Sequence, residues 1–383
     1  MALHLDPSTL TSFDHAAAGH EGVLSDPSGD LVIKPCTQAE VSFYELATTS
    51  CPDLANFMPR YMGTLQRSAS VAEATSGLPK PPPAEPSAAV VTPPVSGLQS
   101  LDLPVTHPPS SSVPGTAATL SLDDVGPMKG KKLDTDLNIV LENVTAKFKK
   151  PNVLDLKLGA RLWDDGAKLE KRARLDKVSS ETTSGSLGFR IAGMRIWQGK
   201  DKVVEGLNDF VASKDGQILH ELDEDSNYLN HNKLYGRIFN ADNVIEGFKK
   251  YLHVPHAGIG KRQAFLITQL FLEDVKGIQA ALEALESRMY SASILLVYEG
   301  DGEAFEKAYE ILSKPGNEVL EEEDENDDEE DEENDSTPRL YATRLIDFAH
   351  ASFAPGQGPD ENMLQGVRST VKILEQLLAE YDE

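Results

Sequence analysis

The stretch Pro151–Gly159, PNVLDLKLG, constrains the fold of this chain more than any other. It reads as an apolar strand opened by a proline and closed by a glycine, with Asp155 and Lys157 two residues apart. Side chains two apart on a strand emerge on the same face, so an acid and a base share one face of an otherwise buried element. Burying both costs several kcal/mol, roughly, unless each has a partner. Two readings follow, an internal ion pair or a site that handles charged ligands.

Other polar groups fall at the ends of apolar elements along the chain. Val23–Ser25, the turn Asp26–Asp30 and Leu31–Lys34 read as a β-hairpin whose second strand ends in Lys34. Gln38–Thr49 has helical character and carries Glu40 and Glu45; on the residues alone, a surface Lys34 and a helix-exposed Glu40 are the commoner explanation. Phe57–Gln66 predicts a strand and Asp136–Asn143 another, with the turn Glu142-Asn143-Val144 at its end. Between them Ser68–Pro127 is dominated by Pro, Ser, Ala, Thr and Val, a composition that buries too little apolar surface to offset ordering entropy, so a disordered insertion is expected over 68–132.

Lys168–Lys177, KLEKRARLDK, predicts a short helix dense in Lys168, Lys171, Arg172, Arg174 and Lys177. A solvated face with Glu170 and Asp176 as local partners is one reading, and an anion-binding wall the other. Ser179–Ile196 predicts a polar turn running into a strand, and Gly199–Asp201 a turn that pairs it with Lys202–Glu205. Asn208–Gly258 reads as short helices whose His231, His253 and His256 lack metal-ligand spacing. Gln263–Tyr290 reads as one long amphipathic helix, Ser291–Glu299 as a buried strand, Glu303–Leu312 as a helix and Met363–Tyr381 as a terminal helix. In Tyr341–His350, YATRLIDFAH, an apolar strand delivers Asp347 beside Phe348, with His350 three residues on.

The order of Pro-x-x-x-Asp-x-Lys-x-Gly at 151–159, the basic helix, SASILL at 291–296 and Ile-Asp-Phe at 346–348 resembles the signature of the inositol polyphosphate kinase family. Ala292 and Ile294 stand where that pattern has serine and leucine, and Met363 where an aromatic is usual; Ser293, Asp360 and Gly366 are kept. The short stretch between Gly159 and Gly188 makes the likeness greatest to the fungal multikinases. The resemblance implies a two-lobed α+β fold, similar in plan to protein kinases, without their HRD loop or GxGxxG loop. Residues 1–67 and 133–144 would form an antiparallel-sheet small lobe and hinge. Residues 145–383 would form a mixed large lobe, with a short inositol-phosphate-binding helical segment at 160–187 and a disordered acidic loop at 316–338.

The resemblance also implies roles. Transfer of the ATP γ-phosphoryl to an inositol phosphate needs charge neutralisation and alignment more than covalent chemistry. Asp347 would hold Mg²⁺ as the Asp of Asp-Phe-Gly does in protein kinases. Lys34, paired with Glu40, would hold the nucleotide phosphates, Glu142 and Val144 would offer backbone groups to adenine, and Asp155 would bind the ribose. Lys157 would sit between donor and acceptor, and Lys168, Lys171, Arg174 and His350 would bind acceptor phosphates.

Net charge is −26, of which Glu321–Asp335 contributes thirteen acids and no base. Direct nucleic-acid binding is thereby disfavoured, and a basic protein partner of the acidic run becomes an expectation. Two cysteines without metal spacing, no basic leader and no apolar run of membrane-spanning length argue for a soluble, monomeric protein of the nucleus and cytoplasm. A rival from another class is a non-catalytic nuclear scaffold acting through the acidic and proline-rich tracts; a lipid or protein kinase is a third reading. The joint presence of Lys34, Asp155, Lys157 and Asp347 weighs against a scaffold, which has no need of that set.

Overall fold

A computed structural model describes residues 9–13, 22–66, 135–200, 218–314 and 338–382. The insertion expected over 68–132, the strand expected at Lys202–Glu205 and the acidic run Glu321–Asp335 lie outside the described residues. All described residues belong to one of two units; the other, Ser68–Gly126, lies outside them.

The chain first lays down β1 (Thr11–Ser12), β2 (Leu24–Ser25) and β3 (Leu31–Pro35), then α1 (Gln38–Ser50), α2 (Pro52–Ala55), β4 (Tyr61–Gln66) and β5 (Leu137–Glu142). The strands form one antiparallel sheet in the order β1-β2-β3-β5-β4. The β2–β3 turn is closed by Asp26, whose carboxylate accepts from the Leu31 N–H at 2.8 Å. Thr37 caps α1 by accepting from the Glu40 N–H. The strand expected from Phe57 begins only at Tyr61, because Phe57 and Met58 close a turn onto Leu54 and Ala55.

Residues 143–150 connect this sheet to the second and are held at both ends. Asn143 donates from its N–H to Asp30 O at 2.7 Å and from Nδ2 to Gly29 O at 2.6 Å, while its Oδ1 accepts from the N–H and hydroxyl of Thr145. At the far end Glu299 accepts from the N–H groups of Lys149 and Lys150 at 2.6 and 3.0 Å.

The larger lobe follows with β6 (Pro151–Leu158), α3 (Leu169–Ser180), α4 (Thr183–Leu187), β7 (Phe189–Trp197), β8 (His220–Asp223), β9 (Tyr228–His231), α5 (Ile245–Leu252) and α6 (Lys261–Glu283). It ends with β10 (Ser287–Met289), β11 (Ser293–Glu299), α7 (Gly302–Leu312), β12 (Tyr341–Ile346), β13 (Ala351–Phe353) and α8 (Glu361–Asp382). Six strands form an antiparallel sheet ordered β12-β11-β6-β7-β9-β8, and β10 pairs with β13. β6, β7 and β11 lie at its centre and are buried on both faces, which is why they read as nearly continuous apolar runs. α6 and α8 pack against each other, burying Phe271, Val275 and Ile278 of one and Val367, Thr370 and Leu374 of the other.

Three expectations are corrected. The helix expected over Gln263–Tyr290 ends at Glu283, since Ser287–Met289 leaves to pair with β13. The polar stretch before β7 contains the helix α4, whose cap Thr182 accepts from Ser184 N–H. Among the described residues of the segment read as short helices, the first element is the hairpin β8–β9, turned by Asp223, whose carboxylate accepts from the N–H groups of Asp225 and Ser226.

Candidate active site

The register of the large sheet brings the polar residues together. Lys157 on β6 stands opposite Ser293 on β11, which stands opposite Ile346 on β12, so Asp347 emerges one residue beyond a row that ends in Lys157. Lys157 Nζ donates to Ser291 O at 2.8 Å and lies 3.4 Å from Asp347 Oδ2. From the small lobe, Lys34 at the end of β3 puts its Nζ 2.8 Å from Asp347 Oδ1 and 3.0 Å from Glu40 Oε1. Glu40 is buried, so the alternative of a surface lysine beside a solvent-facing glutamate is overturned. Burial alone would depress the Lys34 pKa, but Asp347 and Glu40 outweigh it and hold the ammonium well above its usual value.

Two features hold Asp347 in place. Its φ of 69° lies in the left-handed region, sparsely populated by any residue but glycine, Asn or Asp. The next residue, Phe348, is fully buried, stacks on Phe43 of α1 at 4.9 Å and meets Tyr44 edge-on at 5.2 Å. The helix that carries Glu40 is therefore packed on the residue that follows Asp347.

Asp155, two residues before Lys157, is buried and its Oδ1 has no hydrogen bond among the described residues. Burial raises its pKa, Lys157 opposes the shift and Asp347 adds to it; the buried Ser293 hydroxyl on the adjacent strand moderates it without reaching hydrogen-bond geometry. Among the described residues no three His, Cys, Asp or Glu side chains form a cage for a metal. Mg²⁺ bound with a nucleotide needs only one or two carboxylates, the phosphates and water supplying the rest, and Asp347 with the orphaned Asp155 oxygen nearby fits that requirement.

Gly159, φ 93°, turns the chain out of β6; a Cβ there would lie 2.6 Å from Asn362 Nδ2. That amide accepts from the N–H groups of Ala160 and Arg161 at 2.9 and 2.8 Å, tying the loop to the start of α8. The loop leads into α3, whose cations point in different directions. Lys168 is the exposed N-cap. Lys171 faces His350 closely enough to lower its pKa, behind only burial as a cause, while Asp164 and Glu40 oppose the shift. Arg172 donates to Ala167 O at 2.7 Å and stacks over Trp163. Asp176, expected as a partner of the helix cations, accepts from the Trp163 indole at 2.5 Å.

Arg174 belongs to a second group that sequence reasoning missed. Burial lowers the pKa of Lys233 and of Arg237, and Arg174 lowers both further. Arg190 on β7 is pushed down to about 10 by burial and then by Arg237, against the pull of Asp155. Its guanidinium donates to Ser184 Oγ at 2.9 Å. Four cations from α3, β7 and the segment after β9 thus crowd one region, with Glu181 the acid that counters Arg237. Arg190 on one strand and Lys233 and Arg237 on a distant segment are no signal in sequence.

Glu142 and Val144 sit where the hinge was expected. The Glu142 N–H, however, already donates to Arg60 O at 2.9 Å, so it is not available to a base edge, and the Glu142 carboxylate accepts from the Arg339 guanidinium at 3.0 Å. Arg339 and Arg344 outweigh burial and hold the Glu142 pKa low. The Val144 side chain is buried with Val153, Val297 and Ala342.

A family model described as inositol polyphosphate kinase matches residues 138–375. The inositol polyphosphate multikinase of Saccharomyces cerevisiae is 32% identical, over 94% of this chain and 96% of its own. That of Schizosaccharomyces pombe is 26% identical over 96% and 98%. A crystal structure of an inositol phosphate multikinase from S. cerevisiae in complex with ADP and Mn²⁺ superposes with a TM-score of 0.60 at 28% identity, covering 91% of this chain and all of that one.

Proposed function

Because the chain belongs to the inositol polyphosphate kinase family, we propose that it is an ATP-dependent multikinase that phosphorylates inositol trisphosphate to the tetrakis- and pentakisphosphates, and that the residues gathered around Asp347 carry the reaction. The observation that carries this reading is the meeting of Lys34, Glu40, Lys157 and Asp347 from four separate elements.

Bound between the lobes, Mg²⁺·ATP would supply the transferable phosphoryl group and a divalent charge to neutralise it. Asp347 would hold the metal, and Asp155 would hydrogen-bond the ribose, as the family likeness implies. Lys34 exchanges Asp347 for nucleotide phosphate oxygens while Glu40 keeps its ammonium oriented. Lys157, anchored on Ser291 O, steadies charge between donor and acceptor. Backbone groups of Val144, and of Glu142 other than its N–H, are the hinge contacts for adenine. On the acceptor side Lys168, Lys171 and His350 form one part of the wall, and Arg174, Arg190, Lys233 and Arg237 the other. Cations that lower one another's pKa are held together at a cost that a polyanion relieves.

The test is direct: purified protein with ATP, Mg²⁺ and inositol trisphosphate, analysed for higher phosphates. An absence of product under conditions where the protein binds ATP would refute the reading.

The same reading puts a monomer in the nucleus and cytoplasm, with a basic protein partner on Glu321–Asp335. Its support is compositional, the thirteen acids of that run and two cysteines that are both free thiols. No described helix is long and apolar enough to cross a membrane.

A further inference from the structure

Asp164, on the loop between β6 and α3, places Oδ2 2.6 Å from Nδ1 of His350. The loop is fixed from several directions. Asn362 holds Ala160 and Arg161, the Ser291 hydroxyl donates to Leu162 O at 3.0 Å, and Trp163 donates to Asp176. The Arg161 guanidinium stacks 4.0 Å from the Trp163 ring and 4.9 Å from Tyr290. His350 is tied down too, its carbonyl accepting from the Tyr290 N–H at 3.2 Å. Both partners are delivered by rigid backbone, so the contact is built in rather than reached by a flexible side chain.

A carboxylate on Nδ1 does two things to an imidazole. It fixes the tautomer with the proton on Nδ1, which leaves Nε2 as the nitrogen for a ligand, and it stabilises the ring as a cation. Lys171 faces the same ring with the opposite effect, and Glu40 adds to that of Asp164. Burial and Lys171 lower the pKa of the ring against Asp164, and the negative charge of a phosphate would act in the same sense as Asp164.

We propose that Asp164 is the positioning residue of His350, holding the ring by Nδ1 so that Nε2 is presented to a phosphate of the acceptor and supplying the charge that supports the imidazolium. The proposal rests on the reading of His350 as an acceptor ligand.

The experiment compares wild type, Asp164→Asn, Asp164→Ala, His350→Ala and the double variant Asp164→Ala/His350→Ala, using inositol trisphosphate, ATP and Mg²⁺ between pH 5 and 8. Asp164→Asn keeps an oxygen acceptor but not the charge, so the KM for the trisphosphate rises about fivefold and that of Asp164→Ala about tenfold or more, with the KM for ATP within about twofold. The alkaline limb of kcat/KM for the trisphosphate moves to lower pH in Asp164→Asn, because the imidazolium is less stabilised. The double variant is no worse than His350→Ala. If His350→Ala binds the trisphosphate normally, the acceptor reading of His350 falls and the positioning role falls with it. If His350→Ala is impaired but both Asp164 variants keep wild-type KM and pH limb, the positioning role alone is overturned. Losses that add in the double variant, or that raise both KM values with no movement of the limb, show a structural role and overturn it as well.

Discussion

Lys34 and Asp347, which lie at opposite ends of the chain, meet at 2.8 Å across the two lobes. Neither side chain reaches the other by chance of a flexible loop. Lys34 ends a strand and is braced by buried Glu40, and Asp347 follows a strand in a left-handed conformation, with Phe348 stacked under the helix that carries Glu40. Under the proposed function, this pair marks where the phosphate chain of a nucleotide would lie.

Asp347→Asn separates charge from geometry. Asparagine tolerates the left-handed backbone as well as aspartate does, so the fold persists while the metal carboxylate is lost. We expect kcat to fall by a factor of about 10² or more, with a melting temperature within a few degrees of wild type. Retained turnover would remove Asp347 from the metal site.

Asp155→Asn should do the reverse to stability. Burial raises the pKa of Asp155, so the folded state holds that proton more tightly than the unfolded state. The contribution of this group is greatest below its unfolded value and is lost as pH rises through the folded one. The neutral amide escapes that loss. The variant should therefore melt higher than wild type at pH 7, with a difference that shrinks toward pH 4, while its activity drops. A variant that melts lower at pH 7 would mean the carboxylate is a satisfied part of the core.

Asn143→Ala tests the hinge. It removes the bonds to Gly29 O and Thr145 and leaves buried groups unpaired, a cost of about 1–3 kcal/mol. Because the same amide ties the connection between the lobes to the first hairpin, the KM for ATP should rise together with the loss of stability, and the KM for inositol trisphosphate should change less. Denaturant unfolding and two-substrate kinetics read both.

Sequence made the strands at 151–158 and 341–346 and the helix after Thr37 legible because each is a local pattern: an apolar run with polar residues at its end, or apolar residues at helical spacing. Glu40 on that helix turns to Lys34, a contact that no local pattern carries. What stayed hidden depends on distant partners. Ser287–Met289 becomes a strand only because Ala351–Phe353 lies beside it. The β8–β9 turn did carry a signal, Asp-Glu-Asp-Ser-Asn between two short apolar stretches, with Asn227 at φ 62°. Arg190, Lys233 and Arg237 carried none, because only the fold makes them neighbours of Arg174.

Removal of a cation from α3 separates a ligand wall from a structural network. If Arg174 were paired for stability, Arg174→Ala would lower the melting temperature. The structure shows the opposite balance, with Arg174 depressing the pKa of both Lys233 and Arg237. Its loss should leave stability unchanged or slightly improved, most visibly at low salt where repulsion is least screened. The KM for inositol trisphosphate should rise at the same time, by a factor set by one charge-assisted contact of about 1.5–3 kcal/mol, with the KM for ATP almost unchanged. Lys171→Ala should give the same split, whereas Lys157→Ala should depress kcat as well, because Lys157 contacts Asp347 directly. An Arg174→Ala protein that melts lower and binds the trisphosphate normally would show that this cluster serves the fold, and would leave Lys168, Lys171 and His350 to hold the acceptor alone.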